Sequence, residues 1–199
     1  GGDVGTTALI VIIVVVVVVV LLLVLFFASR RRAAQRSEEQ RERTREEFGS
    51  EYERTAQETG SEEEAERELR ERRGRVERRV EPLSEESRGR YEEQWGEVER
   101  VFVDNPERSI EMADRTVSDI LNERNFVSDA GQSDEETERG LAAMHPEVAD
   151  DYREARRIRA DVVARSAGRA EVDSNEQSTE ELRQAIRKYR AVYQRLVRE

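Results

Sequence analysis

Residues 8–28 constrain this chain more than any other stretch. They read ALIVIIVVVVVVVLLLVLFFA, 21 consecutive apolar residues without a charge, a proline or a glycine. As a helix the run reaches about 31 Å, the thickness of a bilayer's hydrocarbon core. In water such a helix would be apolar on every face, with nothing large enough to bury it. In lipid it satisfies its backbone polar groups within the segment. The weak helix propensity of valine does not oppose this, because solvent and tertiary context override it. The run therefore predicts a transmembrane helix over 8–28.

The flanks predict its orientation. A secretory signal has a basic start, an apolar core of about 7–15 residues and a small-residue cleavage site. Here the tail 1–7, GGDVGTT, carries only Asp3, the run is too long, and no A-x-A site follows. Arg30, Arg31, Arg32 and Arg36 follow instead. The positive-inside rule assigns them to the cytoplasmic face, against anionic headgroups. The expectation is an uncleaved single-pass anchor in the cell membrane, N-terminus outside and residues 29–199 cytoplasmic. No methionine precedes Gly1, so the chain reads as a fragment or a trimmed product.

With the anchor set aside, hydrophobic residues make up roughly 29% of the remainder, against about 45–50% in ordinary globular domains. That composition supports thin helical packing rather than a large core. The net charge of −11 argues against nucleic acid as a partner, since phosphate binding needs basic surface. There is no cysteine, hence no disulfide or thiol chemistry. Lys188 is the sole lysine; every other basic residue is arginine, apart from one histidine.

The remaining chain reads as all-α. Residues 29–60 form the basic flank and a charged helical stalk, with Phe48, Tyr52 and Ala56 at helical spacing and glycines at 49 and 60. Three helices are expected over 61–127. The first has Ser61 and Glu64 as a capping box, a stripe of Ala65, Leu69, Val76 and Val80, and Pro82 as its stop. Ser84 caps the second, whose face is Tyr91, Trp95, Val98 and Phe102. Asn105 caps the third with Pro106 at its first position, and Ile110, Ala113, Val117 and Leu121 form its stripe. The short turn between these last two predicts an antiparallel hairpin. Residues 128–138 read as a polar linker. Two main helices are then expected over 139–199. One starts at Pro146, carries Val148, Tyr152, Ala155 and Val162, and ends near Gly168. The other is capped by Ser178 with Glu181 and carries Leu182, Ile186, Tyr189, Tyr193 and Leu196. That last seam has coiled-coil spacing but only two heptads, short of the three or four a coiled coil needs.

No motif for chemistry stands out. His145 is alone, without H-E-x-x-H, C-x-x-C or a G-x-S-x-G elbow, and next to Pro146 it reads as a loop or capping residue. Asp173, Asn175, Gln177 and Thr179 imitate a calcium loop, but Ser178 occupies the turn position and Gln184 the place of the bidentate glutamate. Acid–base catalysis needs carboxylates in a pocket that separates their pKa values, and the chain has little apolar material to wall one. No metal, cofactor or small-molecule ligand is expected.

Several runs resemble a family of uncharacterised actinobacterial single-pass membrane or "secreted" proteins. They are Phe48-Gly49-Ser50-Glu51-Tyr52-Glu53-Arg54, then Tyr91, Gln94-Trp95 and Val98, then Phe102-Val103-Asp104-Asn105-Pro106 and Ala113-Asp114. The resemblance resumes at His145-Pro146-Glu147-Val148, Tyr152-Arg153 and Ser178-Thr179-Glu180-Glu181-Leu182-Arg183, covering most of 48–196 in order. It departs at Arg124-Asn125-Phe126, where the family pattern has glycine in the middle of a sharp turn. The resemblance implies a one-span anchor with a helical domain, and no catalytic residue.

These observations lead to a membrane-anchored, non-enzymatic scaffold or interaction module with a protein partner. The alternatives are a self-associating structural envelope protein, or an enzyme with a carboxylate and arginine site. Tyr91, Trp95 and Phe102, with Leu182, Ile186, Tyr189 and Tyr193, are the aromatic and apolar residues that either hold the helices together or form a partner surface.

Overall fold

The computed structural model describes residues 38, 40–126, 134–166 and 175–198. The apolar run 8–28 and its flank Arg30, Arg31, Arg32 and Arg36 lie outside the described residues. Among the described residues no helix is long and apolar enough to cross a membrane. The chain divides into two compact units, 1–46 and 47–199. In the first, residues 40–46 are helical.

The second unit is all-helical, without a strand among the described residues. Its helices are α1 (Ser50–Thr59), α2 (Glu62–Glu77), α3 (Glu85–Asp104), α4 (Pro106–Glu123), α5 (Asp134–Met144), α6 (Pro146–Ser166) and α7 (Asn175–Val197). Side-chain caps set three of the starts. Ser61, Ser84 and Asn105 accept from the backbone N–H groups of Glu64, Ser87 and Arg108, three positions on. Each satisfies a donor that the first helical turn leaves without an intrahelical partner. Asn105 is also the last residue of the α3 cap, so a single residue separates two long helices.

Contacts across the helices give the topology. Tyr91 reaches Glu123 while Ser109 donates to the Val98 carbonyl, so α3 and α4 run antiparallel, as their spacing predicts. Lys188 meets Asp151 and Arg165 meets Glu181, making α6 and α7 a second antiparallel pair. Tyr189 meets Asp114 and Arg124 meets the Leu196 carbonyl, so α4 and α7 lie parallel. The expected stripes fill the core. Ile110, Ala113, Val117 and Leu121 of α4, Tyr152 and Ala155 of α6, and Leu182, Tyr189 and Leu196 of α7 are all buried.

Three boundaries differ from the sequence reading. The stalk was expected to extend to residue 60, yet the compact unit begins at Glu47, and Phe48 and Tyr52 are fully buried. Phe48 and Tyr52 cluster with Leu69 of α2, although charges surround them. The linker was expected over 128–138, but α5 starts at Asp134 inside it. Its polar first turn continues into Leu141, Ala142 and Ala143, all fully buried, so packing at one end carries the whole helix. The C-terminal half therefore has three helices from residue 134 rather than two from 139, and α7 begins at Asn175, ahead of its expected cap at Ser178.

The turn after α4 resolves the departure at Arg124-Asn125-Phe126. Phe126 N–H donates to the Leu121 carbonyl and Asn125 N–H to the Asn122 carbonyl, a Schellman pattern. Asn125 holds the left-handed conformation at φ 59 that this motif requires. Asparagine tolerates that region better than other non-glycine residues, so the sharp turn forms without glycine.

Candidate functional site

The most concentrated chemistry in the described residues is a web of carboxylates and guanidiniums inside the bundle. Glu51, in the first turn of α1, is 2% exposed and is met by Arg54, by Arg72 of α2 at 3.1 Å and by Arg153 of α6 at 2.6 Å. Arg153 and Arg156 both approach Glu138 of α5, at 4.0 and 3.4 Å. Arg156 and Arg159 approach Asp114 of α4, at 3.7 and 3.4 Å. Asp114 accepts a hydrogen bond from the Tyr189 hydroxyl at 3.0 Å. A chain of alternating charge thus runs from α2 through α1, α6, α5 and α4 to α7. Helix α6 organises it, because Arg153, Arg156 and Arg159 recur every three residues on one side.

Burial and the web together shift the tyrosines. Burial, reinforced by the negative Asp114, pushes the Tyr189 hydroxyl well above the ordinary tyrosine range. Burial pushes Tyr152 up to about 12, although its bond with Ser118 and nearby Arg156 partly offset this. Tyr91 also rises to about 12, from burial and from its hydrogen bond to Glu123. All three remain neutral at physiological pH. Arginine cannot give up its proton there either. The web is thus built of guanidiniums, carboxylates and neutral phenols. Its evident capacity is to join six helices in one register.

A second polar junction forms where several chain segments end. Arg124 is 4% exposed and donates to the Glu81 and Leu196 carbonyls. Arg79 donates to the Asn125 and Phe126 carbonyls. Gly140 of α5 lies against this turn; a Cβ there would stand 3.0 Å from the Phe126 carbonyl oxygen. His145 is the single residue between α5 and α6, the loop position expected of it, and it is 2% exposed. Its Nδ1 accepts from Arg195 at 3.1 Å and its ring tilts against Phe126. The burial of His145 is what its place beside Pro146 did not convey.

The residues expected either to hold the helices together or to form a partner surface lie in or against the core. Tyr91, Trp95, Leu182, Ile186, Tyr189 and Tyr193 are buried, and Phe102 is half-buried against the same core. Trp95 stacks on Tyr193 with ring centroids 4.4 Å apart, and its indole N–H donates to Glu99. Within this fold they hold α3, α4 and α7 together, because the two apolar stripes face each other. Glu51, Asp114 and Arg153 were not singled out from sequence as chemical residues, although all three sit in the runs that carry the family resemblance. Among the described residues no group of three or more His, Cys, Asp or Glu side chains is arranged to hold a metal ion. Comparison of the chain with protein families, curated proteins and solved structures finds no match.

Proposed function

We propose that this is a single-pass membrane protein whose helical domain is a non-enzymatic scaffold or interaction module. The observation that carries the proposal is the 21-residue apolar run followed by Arg30, Arg31, Arg32 and Arg36. The anchor would confine the domain to the cytoplasmic membrane surface and raise its effective concentration for partners there. The internal charge web supports a scaffold over an enzyme. Its carboxylates are occupied by the protein's own guanidiniums, an arrangement suited to fixing a shape. The family resemblance supports the same architecture.

Affinity purification of the tagged full-length protein from its native membrane tests this. A stoichiometric protein partner is the expected result. Recovery of the chain alone, cross-linked to itself, would transfer the weight to a self-associating envelope protein held by its anchor. Protease added to intact cells should spare residues 29–199; digestion of the helical domain would overturn the orientation.

A further inference from the structure

We infer that α1 is a releasable strap, able to leave the bundle as a unit while the rest stays folded. Its ends are the first observation. Gly49 has φ 51 and ψ −129, and Gly60 has φ 73 and ψ 8, so both lie in backbone regions that favour glycine. These two joints bracket a ten-residue helix. Rotation at them would swing α1 without dragging α2 out of register.

Its packing is the second. The main apolar core draws on α2 through α7, but Phe48, Tyr52 and Leu69 form a small cluster of their own, apart from it. The attachments of α1 to α5 and α6 are polar: Ser50 to Asp150, Glu51 to Arg153, and Glu58 to Arg139 at 3.8 Å. Separating apolar surfaces loses their burial outright. A buried ion pair behaves differently, because it has already borne the cost of removing two charges from water. Water recovers that cost on release, so the open state lies comparatively close in free energy. A helix of ten residues does not hold its own hydrogen bonds once detached, and its amides would then exchange with solvent. Release would bare Leu69 with the guanidiniums of Arg72 and Arg153, a surface that the closed state hides.

Hydrogen–deuterium exchange of the full-length chain in lipid nanodiscs, followed by mass spectrometry, tests the strap. Residues 50–59 should exchange at least tenfold faster than 110–121 and 182–196. Glu51→Gln keeps the shape of the side chain and removes its charge; it should accelerate 50–59 at least tenfold further and leave the other two segments within twofold. Phe48→Ala, which removes one member of the separate cluster, should do the same. The inference is overturned if 50–59 is as protected as the core segments in the unaltered chain. It is equally overturned if either substitution accelerates all three segments together.

Discussion

Two buried carboxylates, Glu51 and Asp114, are each surrounded by arginines, yet they sit in regions built on different principles. Asp114 lies among the apolar stripes of α4, α6 and α7, where Tyr152 and Tyr189 meet edge to face. Its ion pairs are threaded through a core that would exist without them. Glu51 lies beside only three clustered apolar side chains, and its ion pairs are a principal attachment of α1. In the first region charge selects one register among possible packings; in the second it stands in for packing. A chain that is 40% charged can therefore fold around little apolar material, provided that some charges are spent inside.

The comparison can be broken first at its apolar side. Trp95→Ala removes the stack on Tyr193 and leaves a cavity between α3 and α7. Urea unfolding followed by circular dichroism should show a loss of about 4 kcal/mol. An effect below about 1 kcal/mol would mean that α3 is not integral to the core.

Next comes the same chemical change at both carboxylates. Asp114→Asn leaves Arg156, Arg159 and Tyr189 without their anion in a buried site, and should cost about 3 kcal/mol of global stability. Glu51→Gln should lower the global value by only about 1.5 kcal/mol, the equivalent of its tenfold faster exchange, since the loss cannot exceed the free energy that holds α1 in place. Equal effects in the same unfolding assay would erase the distinction between the regions.

Alkaline pH acts on the tyrosines of the core. Tyr152 is raised from 10.0 to about 12 in the folded chain. The folded state binds this proton more tightly, so its contribution is fully present below pH 10 and is lost as pH rises toward 12. The loss is on the order of 2–3 kcal/mol, readable as a falling urea midpoint. Tyr152→Phe should make that decline shallower, with Tyr91 and Tyr189 carrying the rest.

The smallest effect belongs to the turn after α4. Asn125→Ala should cost about 1 kcal/mol, because alanine tolerates the left-handed conformation poorly. Asn125→Gly should be neutral or slightly stabilising in the same measurement.

The helices of the main core were legible in the sequence because local signals agreed. Ser61, Ser84 and Asn105 mark starts, and the stripes from Tyr91 to Phe102, from Ile110 to Leu121 and from Leu182 to Leu196 mark inward faces. The charge web was not legible. Glu51 is one acid among 45 Asp and Glu residues, and its burial depends on α1 meeting α2 and α6, from residues 21 and 102 positions away. The seat of α1 was missed for the same reason, since Phe48 and Tyr52 look isolated until Leu69 is placed beside them. The start of α5 was missed because its first turn has no periodic apolar residue. The spacing of Tyr91, Trp95 and Phe102 suits a core or a partner surface equally well, and within this fold Trp95 is engaged by Tyr193.

The parallel pairing of α4 with α7 also has a consequence during synthesis. The helices that emerge first, α1 through α4, can close local hairpins while translation continues. The apolar face of α4, and the guanidinium of Arg124 that must reach the Leu196 carbonyl, wait for a segment made more than 70 residues later. Until then the nascent chain carries an open cleft whose natural occupant has not been made. The proposed anchor, translated well before it, would by then have brought that half-finished bundle to the membrane surface, where a chaperone or a neighbouring chain could reach the cleft before α7 does.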